Sequence, residues 1–153
     1  MIVVSDTSPL TALLTTGEAE LLARLFQEVV IPAAVQSKLV RSHRLLPPWL
    51  QVKTVQNSAR VREYAQTVDI GEAEAIELAH ELSADRLLID ERKGRALARR
   101  EGIPVIGLLG VVLLAKRQRL IPSARALLQR LESESGMYLG ADIREAALKT
   151  VGE

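Results

Sequence analysis

The sequence predicts an α/β fold, a central parallel sheet of about five strands in the order 3-2-1-4-5 with helices on both faces. Two observations carry this. Short apolar runs of strand length alternate with segments whose apolar residues recur at helical spacing, the pattern of strands joined by helical crossovers. The chain has 153 residues, 48% of them hydrophobic, enough for one adequate core, so residues 1–153 are expected to form a single domain.

The elements follow in order. Met1 to Ser5 reads as a buried first strand, and Ser8 followed by Pro9 reads as a helix N-cap with proline in the first turn. Leu21, Leu22, Leu25 and Phe26 mark a helix within Glu18 to Gln27; Glu28 to Ile31 is a second strand, and Pro32 opens a helix containing Val35 and Leu39. Pro47 and Pro48 break the chain before a third strand, Gln51 to Val55, and a weakly helical stretch, Ser58 to Gln66. Asp69 and Glu72 have the spacing of a capping box ahead of an alanine-rich helix that runs to about Leu82. Arg86 to Asp90 is the fourth strand, Gly94 to Glu101 a helix, Pro104 to Ile106 the fifth strand and Leu109 to Lys116 another helix. Ser123 to Glu134 and Ala141 to Lys149 read as terminal helices, and the stretch after Gly136 carries no functional signal.

If the chain winds outward through strands 1, 2 and 3 and restarts on the other side, strand 4 lies beside strand 1. Ligands of such sheets sit beyond the carboxyl ends of the strands at this switch point. Asp6 and Asp90 would then be neighbours there, and Glu72, in the first turn of the helix feeding strand 4, could reach the same crevice. Carboxylates held together raise one another's pKa and need a cation to stay ionised. Mg²⁺ or Mn²⁺ is the hard, oxygen-seeking partner, and such an ion orients a hydrolytic water and neutralises charge on a phosphodiester. Each acid also has a structural explanation: a turn for Asp6 and Asp90, a helix cap for Glu72, and an N-cap for Ser8.

Composition narrows the alternatives. Lys and Arg total 20 against 19 for Asp and Glu, so a nucleic-acid partner must be argued from local clustering, here Arg92, Lys93, Arg95, Arg99 and Arg100, with Arg95 placed to meet a phosphate. The four aromatic residues, Phe26, Trp49, Tyr64 and Tyr138, are too few for base stacking to dominate recognition, so backbone contacts would. No cysteine is present, which excludes thiolate chemistry, and His43 and His80 stand apart on segments expected at the surface. The amino terminus lacks the basic region of a secretory signal, and the longest apolar stretch, Ile103 to Ala115, has 13 residues where a membrane span needs about 20. A cytoplasmic location with no membrane association is the expectation.

Val3 to Leu10 (VVSDTSPL), Ile31 to Val35 (IPAAV), Gly71 to Ile76 (GEAEAI), Leu88 to Arg95 (LIDERKGR) and Gly107 to Lys116 (GLLGVVLLAK) together resemble the PIN-like family DUF3368. That family is related to the PIN-domain ribonucleases that act as toxins of VapBC-type toxin–antitoxin pairs. The resemblance spans nearly the whole chain up to about Ile121. It implies a PIN-like α/β/α sandwich, Mg²⁺- or Mn²⁺-dependent cleavage of RNA, a homodimer, and an antitoxin protein as partner. Carried over by position, Asp6, Glu72 and Asp90 are catalytic metal ligands, Ser8 is the hydroxyl beside the first acid, and Glu74 and Glu91 are spare acids. Two positions depart from the pattern. Lys38 stands where the helix after strand 2 usually has an acid, a change of two charge units that weakens cation binding if its ammonium points inward. Leu108 stands where relatives have threonine. The rival reading is a degenerate module that binds RNA or a protein without cleaving, with Lys38 paired to the acids in place of a metal. A phosphotransferase using Asp6 as nucleophile, in the manner of haloacid dehalogenases, is disfavoured because Ser8 occupies the position of its second aspartate.

Overall fold

In the computed structural model, which describes residues 1–153, the strands are β1 (Ile2–Ser5), β2 (Glu28–Ile31), β3 (Leu50–Val52), β4 (Arg86–Leu88) and β5 (Val105–Ile106). They form one parallel sheet in the order β3-β2-β1-β4-β5, as the alternating sequence pattern predicts. The helices are α1 (Thr7–Thr15), α2 (Glu20–Leu25), α3 (Ala33–Leu39), α4 (Ser58–Tyr64), α5 (Ile70–Glu81), α6 (Arg92–Arg100), α7 (Leu108–Arg117), α8 (Ala124–Ser135) and α9 (Ala141–Lys149).

The period-2 alternation of strand side chains sorts the core into two layers. Val3, Val29, Ile31 and Leu88 face α1, α2, α3, α7 and α8, while Val4, Val30, Leu87 and Ile89 face α4, α5 and α6. The register Val3↔Val29 and Val4↔Leu87 keeps like-facing residues side by side across the central strands. No helix is long and apolar enough to cross a membrane.

Several boundaries differ from the sequence reading, each for a local reason. α1 starts at Thr7, with Asp6 in the N-cap position, so Ser8 lies inside the first turn and caps nothing. β3 begins at Leu50 and ends at Val52; Lys53 still donates to the Ile31 carbonyl, but Pro32 closes β2 and has no N–H to continue the ladder. β4 stops at Leu88, leaving Asp90 two residues beyond it. α6 begins at Arg92 rather than Gly94, because the Glu91 carboxylate accepts the Gly94 N–H at 2.8 Å and starts the helix two residues early.

Candidate active site

The switch point between β1 and β4 brings the strand-end acids together. The Asp6 N–H donates to the Leu88 carbonyl at 2.9 Å, which ties the end of β1 to the end of β4. The Asp6 side chain is 4% exposed, and its Oδ1 is buried with no hydrogen-bond partner. Burial pushes the Asp6 carboxyl up to about 6; the Thr7 N–H and Lys38 oppose the shift, and Asp69 and Asp90 add to it.

Glu72 enters from the first turn of α5. Asp69 caps that helix by accepting the Glu72 N–H at 2.8 Å, but only this half of the expected capping box is recorded. The Glu72 carboxylate extends toward α6, with Oε2 3.4 Å from where a Cβ on Gly94 would lie. The residue is buried, and burial followed by repulsion from Asp69, Asp6 and Glu91 pushes its carboxyl up to about 7.

Asp90 completes the group. Its Oδ1 accepts the Leu108 N–H at 2.9 Å, and desolvation raises its pKa against the pull of that hydrogen bond and of Arg95. Gly107, just before α7, leaves room for this arrangement: a Cβ there would come within 2.8 Å of both Asp90 Oδ1 and Arg95 Nη1. Arg95 Nη1 donates to the Ile89 carbonyl at 2.9 Å, so the guanidinium is held beside Asp90. Ser8 is exposed on the first turn of α1 and lines, together with Asp90, a cavity of about 640 Å³.

The remaining acids divide by role. Glu74 accepts the Ala34 N–H at the start of α3, and Glu91 caps α6, so both have structural work. Asp69, read from the sequence only as a helix cap, is a fourth acid of the crevice, since it raises the pKa of both Asp6 and Glu72. Lys38 pairs with Asp69 Oδ2 at 3.3 Å and forms no ion pair with Asp6, Glu72 or Asp90. Its charge therefore sits on the rim, a third exposed, rather than among the three acids as the rival reading expected. The residues after Gly136 were silent in the sequence, yet Met137, Tyr138 and Leu139 wall the cavity beside Asp90.

The donor set is chemically suited to a divalent cation: oxygen ligands only, one of them a buried oxygen without a partner. In their present rotamers, however, no three acidic or histidine side chains converge on a common point that could hold a metal ion. A shared ligating geometry would therefore need side-chain movement, and Asp6 Oδ1, which has no hydrogen-bond partner, is free to take part.

A doubly wound α/β domain with acids gathered at its switch point is the class that fold and site define. Within it, the family model DUF3368, described as a PIN domain, matches residues 2–153. The chain belongs to this family, and so to the PIN-like nuclease superfamily, whose members are in general divalent-metal-dependent. No curated protein matches the chain.

Proposed function

We propose that the protein is a Mg²⁺- or Mn²⁺-dependent ribonuclease in which Asp6, Glu72 and Asp90 are the metal ligands. The observation that carries this reading is the burial of Asp6 Oδ1, without a partner, at the junction of β1 and β4 and close enough to Asp90 for the two carboxylates to repel. When bound, the ion supplies an oriented water nucleophile and charge neutralisation at the phosphodiester. The chain's own residues do the rest. Asp90 is fixed by the Leu108 N–H, Arg95 sets a guanidinium beside it for a phosphate oxygen, and Ser8 offers a hydroxyl from α1. The family resemblance extends the proposal to a cytoplasmic toxin acting on RNA, assembled as a homodimer and held by an antitoxin protein.

Two observations favour a second reading, a PIN module that binds RNA or a protein without cleaving: the acids do not converge, and Lys38 stands where the family usually has a second acid. A Mn²⁺ titration of the wild type, Asp90→Asn and Lys38→Glu separates the two. The ribonuclease reading expects wild-type binding, at least a tenfold loss in Asp90→Asn, and metal-dependent RNA cleavage that Asp6→Asn abolishes. A wild type that binds no Mn²⁺ while Lys38→Glu binds it clearly establishes the non-catalytic reading.

A further inference from the structure

The basic residues of α6 divide by partner. Arg95 is tied to the Ile89 carbonyl beside Asp90, whereas Arg92, Lys93, Arg99 and Arg100 are exposed and join no ion pair. On α8 and α9, by contrast, Arg125, Arg130 and Arg144 each meet a glutamate. At 3.6 residues per turn, positions 92, 93, 96, 99 and 100 fall within about 120° of one another, so the four cations surround the exposed Ala96 on a single face. The neighbouring acids form no ion pair with them. Glu91 caps the helix through the Gly94 N–H, and Glu101 lies close enough to Tyr64 and Glu77, on α4 and α5, to raise their pKa values.

A merely solvated face accounts for half of this pattern. Arg99 and Arg100, in the last turn, complement the helix dipole; Arg92 and Lys93, in the first turn, oppose it, and that turn holds no acid. Two unpaired cations at the wrong end of a helix cost stability, so the fold does not explain them. Their position does. α6 begins two residues after Asp90, and its first turn borders the crevice, since a Cβ on Gly94 would lie 3.4 Å from Glu72 Oε2. From Arg92 to Arg99 the helix rises about 10 Å, the length of about three phosphates at the spacing of about 3.4 Å along one strand of a duplex.

We propose that the face of α6 formed by Arg92, Lys93, Arg99 and Arg100 is a second RNA contact, a track for the phosphate backbone that leads away from the crevice. The track rests on the ribonuclease reading and deepens it: Arg95 meets the phosphate at Asp90, and the four outer cations hold the strand beyond it, whatever its bases. Ala96, small and central, lets the backbone lie close between the two pairs of cations. An acidic protein segment would satisfy the same charges, but a strand with its phosphate at Asp90 and Arg95 is placed at the head of the track by the site itself.

The test is the anisotropy of a short end-labelled RNA of mixed sequence, titrated with protein in KCl from about 50 to about 200 mM, with Ca²⁺ replacing Mg²⁺ to suppress cleavage. The proteins are the wild type, Arg92→Gln/Lys93→Gln, Arg99→Gln/Arg100→Gln and a charge-matched control, Arg117→Gln/Arg119→Gln, whose exposed residues lie at the end of α7 in the opposite layer. Each α6 pair should weaken binding at low salt and lower the salt slope by about 1.4, at about 0.7 per cation on a single strand, so its deficit against the wild type narrows about sevenfold over that range. The control should keep the wild-type slope. Arg92→Gln/Lys93→Gln should also melt no lower than the wild type; a lower melting temperature would show these cations serving the fold and overturn the track. Equal slopes in all four proteins overturn the track alone and leave the face to an acidic protein segment, and a control slope that falls as far as those of the α6 pairs overturns it by reducing the effect to net charge. Absence of RNA binding by the folded wild type at about 50 mM KCl overturns the ribonuclease reading and the track with it.

Discussion

Glu77 offers the sharpest test of the energetics, because it is a carboxylic acid buried in the middle of α5 with no place in the proposed chemistry. The residue is 1% exposed, its Oε1 lacks a hydrogen bond, and the nearest cation, Arg60 Nε, stands 3.4 Å away. Burial, reinforced by a hydrogen bond shared with Glu81, pushes its carboxyl from the ordinary 4.5 up to about 7, while Arg60 opposes and Glu81 and Glu101 add repulsion. A raised carboxyl pKa means that the native state holds the proton more tightly than the unfolded chain. The resulting stability is complete below about 4.5 and is lost as pH rises through about 7. The interval corresponds to about 3 kcal/mol in all, of which about 2 to 3 kcal/mol falls between pH 5 and pH 8. Glu77→Gln keeps a donor toward Glu81 but cannot ionise. Urea unfolding of both proteins at the two pH values should therefore give near-equal stability at pH 5 and a variant more stable by about 2 kcal/mol at pH 8. Taking the difference of differences cancels the contribution of Asp6, Glu72 and Asp90, which both proteins share. A variant destabilised equally at both pH values would refute the reasoning and show Glu77 ionised and held by Arg60.

Three further outcomes are expected. Gly107→Ala puts a methyl group 2.8 Å from Asp90 Oδ1 and Arg95 Nη1, so Mn²⁺ affinity measured by calorimetry should fall about tenfold or more, while the melting temperature changes little because both neighbours are side-chain ends. Gly94→Ala is the contrasting case: its Cβ meets the fully buried Ile89 Cδ1 at 2.6 Å, and urea unfolding should show a loss of about 1–3 kcal/mol. Glu153 accepts from the Ala124 N–H, the Ser123 hydroxyl and the Arg125 N–H at the start of α8, contacts that outweigh burial and hold its carboxyl down at about 2. That stability is present above the ordinary 4.5 and lost as pH falls toward 2, so thermal melts of Glu153→Gln should show a deficit at pH 7 that shrinks in acid.

The sequence made the sheet legible because strand-length apolar runs and helical periodicities alternate without ambiguity, and right-handed crossovers then leave few strand orders. Asp6 and Asp90 were legible for the same reason: an acid just past a buried strand at the switch point has few other places to be. What stayed hidden depends on contacts between elements remote in sequence. The Lys38–Asp69 pair exists only because α3 packs on α5, and no local pattern announces it. Nor does any motif in Met137 to Leu139 indicate that this stretch returns to wall the cavity at the start of α1. Glu77 could have been caught: it lies one helical turn beyond the buried Ala73, on the face that α5 turns to the core.

The pairing of Lys38 changes the electrostatic argument that the sequence suggested. Taken alone, a lysine in place of an acid shifts the charge of the crevice by two units and should weaken binding of a divalent cation. In the fold, the lysine is matched by Asp69, which the same crevice gains from the cap of α5, and Gly71 makes room for it, since a Cβ there would lie 2.9 Å from Nζ. The pair is half-exposed and contributes little to stability, but its two charges oppose each other at Asp6, whose pKa Asp69 raises and Lys38 lowers. What remains facing the switch point is Asp6, Glu72 and Asp90, all three with raised pKa values, about 6 for Asp6 and about 7 for Glu72, and Arg95 at the edge. Neutralising Asp69 alone would leave the Lys38 ammonium uncompensated. Asp69→Asn should therefore weaken Mn²⁺ binding although Asp69 is not among the proposed ligands, and Lys38→Met in the same chain should restore it. A double variant no better than Asp69→Asn would show that the cap, and not the charge balance, is what the crevice requires.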